Sequence, residues 1–385
     1  MLIKLSSNIY NFMQGRSSQP GAGEGPMMNR YLASGVFLLA CAWFFPVRAV
    51  AASSGTIFVD PLDAPALMVE HPEREPLIDI TEQQGGLTAV GPRGMIVTSQ
   101  NGGLNWVQEN VPVQSDLVAV TFINNKSGWV TGQDGVILHT EDGGKTWIEQ
   151  INGISARKNF ENYYRNLINQ GNKEAISDLQ DIQENFNSGP ILPWLGIAFL
   201  SPTEGFVVGP FGDIAMTDDG GENWQPGLEH IQNPNFYNLN NIGIVGGHLY
   251  IVGEQGSVYM YNPTTKMFLS HQVPYNGSLF GLTGNKNVLV VFGLQGKIFR
   301  SVDDGVSWTQ AKTPSNATIM DGIDLKNGNI VLVNIDGDVL LSRDEGISFY
   351  QIFVKQHTSF AAVSAWKDKL VMASLQGIYS ISIKK

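Results

Sequence analysis

The sequence predicts an all-β fold, a seven-bladed β-propeller interrupted by one helical hairpin, and three observations carry that reading. One unit recurs seven times: a hydrophobic strand, a glycine-rich turn, and a strand opened by Gly94, Gly135, Gly212, Gly256, Gly296, Gly337 or Gly377. Successive spacings are 41, 77, 44, 40, 41 and 40 residues. A period near 40 with several short strands per unit marks propeller blades, each of which needs neighbours to bury its faces. The one doubled interval places about 36 extra residues at 153–190, where the composition changes. A ring of blades closes on itself, so residues 52–385 are read as one domain, although length alone suggests two or three.

In chain order, residues 1–51 read as a leader and signal peptide. An apolar run at 31–45 follows Arg30 and precedes Pro46, Arg48 and Ala49-Val50-Ala51-Ala52. It is shorter than the roughly 20 residues that a spanning helix needs. Export to a periplasm is expected, with cleavage after Ala51, and Met27 or Met28 is a more usual start than Met1. The only cysteine, Cys41, lies inside the run. Leu38-Leu39-Ala40-Cys41 matches a lipoprotein box poorly, because apolar residues 42–45 follow it. The mature chain therefore carries no thiol, disulfide or cysteine metal site. Losing residues 1–51 removes a net +3 and takes the charge from −11 to −14. Such an acidic balance argues against nucleic acid and anionic lipid as partners.

The unit is fullest at 116–150. Leu117-Val118-Ala119-Val120-Thr121-Phe122, Gly128-Trp129-Val130-Thr131-Gly132, Val136-Ile137-Leu138 and Trp147-Ile148-Glu149 read as four short strands separated by turn residues. The second strand recurs at 205–209, 249–253 and 289–293 as continuous apolar runs, suited to a strand covered on both faces. A Gly-x-x-Gly turn follows it, beginning at Gly91, Gly132, Gly209, Gly253 and Gly293. The first blade is expected to begin near Leu77-Ile78-Asp79-Ile80. The last unit stops at Ser380-Ile381-Ser382-Ile383 without a fourth strand, and an open strand edge demands cover. Residues 55–70 are expected to supply that strand beside residues 378–383 and so close the ring.

An eight-residue turn follows the third strand of most units. Thr140-Glu141-Asp142-Gly143-Gly144-Lys145-Thr146-Trp147 is the fullest copy; Asn101 with Trp106, Asp219 with Trp224, Asp303 with Trp308, and Asp344 with Phe349 keep its frame. The short carboxylate or amide accepts backbone N–H groups, glycine takes the positive φ, and the ring packs under the loop. The frame resembles the Asp-box (BNR) repeat of sialidases and related propellers, and an aspartate at a repeated turn reads as scaffold. With its Gly-x-x-Gly turns and paired Asp-Gly-Gly-x-x-Trp copies, nearly the whole mature chain resembles the photosystem II stability/assembly factor family. That resemblance implies an exported, non-catalytic propeller that binds and helps assemble or stabilise a membrane protein complex, in a periplasm or a thylakoid lumen. It implies no cofactor and no small-molecule substrate. Photosynthetic members present an arginine-rich partner surface, whereas the mature chain has only Arg74, Arg93, Arg157, Arg165, Arg300 and Arg343. It also carries the insertion, so it reads as a bacterial relative whose client need not be a photosystem.

Within the insertion, Phe160, Tyr163, Tyr164, Leu167 and Ile168 follow helical spacing, and Ile176, Leu179, Ile182 and Phe186 continue it after Gly171. A helical hairpin is expected on the face of the Gly-x-x-Gly turns, opposite the Asp-box turns. Its apolar stripe can pack on the propeller, bind a partner, or do both. Tyr163 and Tyr164 lie about 100° apart on a helix, so one of them belongs near the edge of the stripe. With Arg157 and Arg165 they are the candidate partner contacts.

The competing class is a glycan-binding or glycoside-hydrolysing propeller. A sialidase site needs an arginine cluster and a Tyr/Glu pair on inner strands, but Arg93 is in a turn, Arg157 and Arg165 are in the insertion, and Arg300 and Arg343 border Asp-box turns. Another glycosidase needs only two carboxylates about 5–9.5 Å apart. Asp79, Asp321 and Asp324, on expected inner strands, are the candidates, and they serve equally to solvate a channel. The six histidines lack metal-ligand spacing, and the Gly-x-x-Gly turns lack the following helix of a phosphate site, so no metal or phosphate chemistry is expected.

Overall fold

A computed structural model describes residues 59–83, 85–187, 189, 191–354 and 358–383. The leader, Cys41, the cleavage site and His357 lie outside these residues. Seven antiparallel sheets form blades at 79–108, 117–151, 196–226, 239–272, 279–310, 319–352 and 360–382. In each, the first strand is innermost, and the seven inner strands neighbour one another in cyclic order, with Asp79–Gln83 of blade 1 beside Phe360–Trp366 of blade 7. The second strands, such as Val288–Gly293 and Ile330–Asn334, are buried along their whole length between adjacent blades, which explains their unbroken apolar runs.

The glycine punctuation has a steric cause. A Cβ on Gly132 would stand 2.3 Å from the Asp116 carbonyl oxygen. At Gly135 φ is 65°, and a Cβ would meet Gly153 at 2.8 Å. The backbone at the start of the insertion therefore rests directly on this turn.

Five Asp-box turns share one hydrogen-bond scheme. The hydroxyls of Ser99, Thr140, Thr217, Ser301 and Ser342 accept the N–H of the glycine four residues on, at 2.8–3.0 Å. They donate to the side chains of Asn101, Asp142, Asp219, Asp303 and Asp344. Those side chains in turn accept the N–H four residues further along, again at 2.8–3.0 Å. Trp147 Nε1 donates to Gly144 O at 2.9 Å and Trp106 Nε1 to Gly103 O at 3.2 Å, while the buried Nε1 atoms of Trp224 and Trp308 have no partner among the described residues. Phe349 closes the fifth turn as a buried ring. Burial pushes the carboxyls of Asp142, Asp219 and Asp344 up, but the donors of their own turns outweigh it and hold them below the usual range. The Ser307 hydroxyl leads the donors that hold Asp303 at about 2. The turns also join blades, since Trp129 and Gln150 of blade 2 both donate to Gly220 O in the blade 3 turn.

Ring closure differs from expectation. Blade 7 has three strands among the described residues. Residues 59–70 form no strand; they lie along blade 1, where Ala66 N donates to Val111 O, Val69 N to Gln108 Oε1, and Gln108 Nε2 to Leu67 O. Pro61 and Pro65 have no N–H for a strand ladder, and Leu62 and Ala66 instead pack against Val111 and Val113. Residues 55–58 lie outside the described residues. Blades 7 and 1 meet through their inner strands and through Leu77 N, which donates to Ser374 O at 2.9 Å.

Candidate partner-binding face

The insertion folds as two helices, α1 (Gly153–Asn169) and α2 (Ala175–Asn185). Asn152 caps α1: its Oδ1 accepts from Ile154 N and Ser155 N at 3.0 Å, and Ser155 Oγ accepts from Asn152 N, so the cap is reciprocal. Gly171, at φ 95°, lies in the turn between the helices. Ala156, Phe160, Tyr164, Ala175, Ile182 and Phe186 are buried in one cluster with Trp129, Ile197, Val207 and Trp224 of blades 2 and 3 and with Trp194. The hairpin thus covers the Gly-x-x-Gly turn of blade 2 and the outer edge of blade 3, and Asn185 reaches Asp213 beside the blade 3 turn. Ile176, expected in the stripe, is 47% exposed.

A polar clasp sits at the blade 3 edge. Tyr163 and Tyr164 donate to Glu229 Oε1 and Oε2 at 2.9 and 2.7 Å, and Leu228 N donates to Tyr164 Oη at 3.2 Å. Burial, then the Glu229 charge, raises both phenols. Asp178 on α2 is pushed up to about 6 by burial, then by Glu229, Asp181 and Glu174. A second clasp joins Asn185 Nδ2 to Asp213 Oδ1 at 2.6 Å, and burial drives Asp213 to about 7.

The four candidate contacts divide. Tyr164 is fully buried, so it is a packing residue and offers no surface to a partner, contrary to the sequence reading; its position on the stripe leaves it beneath the helix. Tyr163 is half-buried at the margin. Arg157 and Arg165 are about half exposed and converge on Glu161, at 3.2 and 3.1 Å. Their bonds hold the Glu161 carboxyl below its usual range, Arg165 foremost. Glu229, Asp213 and Asn185 were not singled out by sequence. One signal was present: the 44-residue interval from Gly212 to Gly256 contains the lengthened connection 227–238, where Glu229 lies.

The central channel holds a cavity of about 620 Å³ whose walls include Asp79, Asn241, Asp321 and the edges of the inner strands. Its carboxylates bridge blades. Asp79 Oδ2 accepts Val120 N at 2.9 Å and Asp321 Oδ2 accepts Val363 N at 2.8 Å; Asp324, the third candidate, lies outside the cavity lining, where its Oδ1 accepts Asn285 Nδ2 at 2.9 Å.

The profile of the family described as "Photosynthesis system II assembly factor YCF48" matches residues 67–159 and 172–361. The unmatched stretch between them, 160–171, carries Tyr163, Tyr164 and Arg165. "Photosystem II assembly lipoprotein Ycf48" of Synechococcus sp. (strain CC9902) is 24% identical over 163 residues, 41% of this chain and 48% of that protein. "Photosystem II stability/assembly factor HCF136, chloroplastic" of Oryza sativa subsp. japonica is 29% identical over 106 residues, 26% of this chain and 25% of that protein. The chain thus spans about half the length of the first curated relative and a quarter of the second. Among solved structures, "YCF48 bound to D1 peptide" superposes with a TM-score of 0.58 at 18% identity, covering 84% of this chain and 100% of that one. "YCF48 from Cyanidioschyzon merolae" gives 0.58 at 14% identity, covering 83% and 99%. At such identities these superpositions show the shared propeller fold.

Proposed function

The chain belongs to the photosynthesis system II assembly factor YCF48 family, and from that premise we propose that it is an exported, non-catalytic propeller that holds a segment of a photosystem II-type membrane subunit during assembly. The observation that carries the reading is the family match, which extends across 67–361 and lapses only inside the insertion. A relative solved with a D1 peptide makes a polypeptide segment the natural ligand class. No described helix is long and apolar enough to cross a membrane. The name of the Synechococcus relative contains "lipoprotein", which keeps Cys41 in view beside cleavage after Ala51.

The hairpin's outer surface, with Tyr163, Arg157 and Arg165, is the proposed client contact. Deleting the hairpin is a poor test, because it would uncover Trp194, Trp224 and Ile197. Arg157→Ala with Arg165→Ala leaves that packing intact. Tagged full-length chain should capture a photosystem II reaction-centre subunit from detergent-solubilised membranes of its host, and the double variant should capture several-fold less. Absence of every photosystem subunit from the wild-type capture refutes the proposed client. Undiminished capture by the variant removes these residues from the contact.

A further inference from the structure

Ten non-glycine residues have a positive φ among the described residues, and eight are polar: Arg93, Asp134, Gln255, Lys266, Gln295, Asp304, Glu345 and Lys367. The other two are phenylalanines, Phe211 at 57° and Phe236 at 52°. They are neighbours, since a methyl group placed on Gly212 would stand 3.5 Å from Phe236 Cα. A bulky side chain in the left-handed region is disfavoured and persists where its surroundings over-determine it. Both are exposed, at 37% and 44%, so core packing does not account for them.

Polar bonds hold the pair rigid. Phe211 N donates to Asn238 Oδ1 at 2.7 Å, and Asn238 is anchored in turn by Glu254. Phe236 N donates to Asn233 O, while Asn233 Oδ1 and Nδ2 tie down Tyr237. Phe211 occupies the tip of the blade 3 Gly-x-x-Gly turn, where blades 1, 2, 4 and 5 place Arg93, Asp134, Gln255 and Gln295. A pre-ordered, exposed aromatic pair on a rigid turn has the attributes of an interface anchor.

The surroundings indicate the occupant. Residues 209–214, 233–238 and 253–256, which carry and brace the pair, contain no lysine or arginine; Asp213 among them is buried against Asn185, and the acid left beside the pair is Glu254, bonded to Asn238. Asp116 and Asp134 stand at the neighbouring blade 2 turn, where Asp134 Oδ2 accepts from Ser115 Oγ at 2.7 Å and Asp116 Oδ1 from Arg93 N at 2.9 Å. Cationic groups on a partner segment would complement these carboxylates.

We propose that Phe211 and Phe236 form the anchor of a docking site for a client polypeptide segment that carries aliphatic or aromatic residues beside lysine or arginine. This deepens the proposed function by naming the client's chemistry: opposite in charge to what an arginine-rich propeller face would select.

The test uses the full chain and the variant F211Q/F236N. Gln255 and Gln295 already occupy the equivalent turn position, and Asn tolerates a positive φ, so the variant should melt at or above the parent temperature. Fluorescein-labelled twelve-residue peptides of alternating Lys/Leu, Glu/Leu and Lys/Ser serve as probes in anisotropy titrations. The Lys/Leu peptide should bind the parent, and the variant should weaken it roughly tenfold. Glu/Leu and Lys/Ser should bind weakly to both. Equal Lys/Leu binding by parent and variant, or equal binding of Glu/Leu, overturns the proposal. Phe-dependent adsorption to phosphatidylcholine vesicles with no peptide preference overturns it too, making the pair a lipid contact. Failure to capture any photosystem subunit would refute the assembly reading without touching these titrations.

Discussion

Raising the pH from 5 to 8 should destabilise the protein through Asp213, and Asp213→Asn should flatten that dependence. Asp213 is 4% exposed beneath the hairpin, and burial drives its carboxyl from 3.8 to about 7. A folded-state value above the unfolded one means that folding takes up a proton. The stabilisation is complete below 3.8 and is lost as the pH rises through about 7. The gap corresponds to about 4 kcal/mol, of which about 2–3 kcal/mol falls between pH 5 and pH 8. Asp178, pushed to about 6, adds a smaller slope of the same sign because it is partly solvated. The lowered Asp-box carboxyls titrate below this window and do not oppose it. Asparagine can still accept from Asn185 Nδ2 but carries no charge. Urea unfolding followed by tryptophan fluorescence at pH 5, 6, 7 and 8 gives the midpoints, and the m-value reports whether the transition itself changes. The His139 imidazole, held low by burial, contributes a slope of opposite sign to both proteins, so the difference between them is the test, and parallel pH profiles for parent and variant would refute the reasoning.

Four further outcomes are expected. Asp142→Ala removes the acceptor for Lys145 N, Thr146 N and two hydroxyls; it should cost about 1–2 kcal/mol in thermal melts while client capture by the folded protein stays unchanged. Ser307→Ala removes the leading donor to Asp303, so the carboxyl midpoint read by carbon-13 NMR should rise from about 2 towards the usual range. Tyr164→Phe takes a buried hydroxyl from Glu229 and should lower stability by about 1.5–3 kcal/mol, whereas Tyr163→Phe at the margin should cost less, as paired urea midpoints would show. Intact-mass measurement of the exported protein should place its first residue at Ala52; a lipidated Cys41 would show instead as a heavier, membrane-retained species.

What the sequence made legible was whatever repeats. Gly135 and its six counterparts mark a turn that each blade must make, and the recurring Ser/Thr-x-Asp-x-Gly frame follows from hydrogen bonds that close within eight residues. Features that depend on distant partners stayed hidden. Tyr163 and Tyr164 differ by one position, and only contact with Trp224 and its neighbours in the core decides that Tyr164 lies beneath the helix. Glu229 reaches them across 65 and 66 residues, and nothing local in Leu228-Glu229-His230 announces it. The course of residues 59–70 is likewise set by Gln108 and Gln114, side chains 39–49 residues downstream, and the apolar character of the segment alone favoured a strand.

The channel carboxylates show why location alone does not make a site. Asp79 and Asp321 occupy the start or bulge of an inner strand, and each spends an oxygen on the N–H of the next blade, Val120 or Val363. Blade 4 places Asn241 at the matching position, where its Nδ2 donates to Phe280 O in blade 5 and its Oδ1 accepts Ile242 N. A carboxylate and an amide therefore do the same mechanical job in different blades. Interchange of that kind is expected of a residue joining blades and not of a general acid, whose proton an amide cannot supply. The surfaces where the repeat does break, the insertion and the paired phenylalanines, are where chemistry peculiar to this chain is concentrated. A propeller that spends its repeated geometry on joining blades leaves its departures, the exposed aromatic and charged groups, as the surfaces on which the proposed client contact is to be tested.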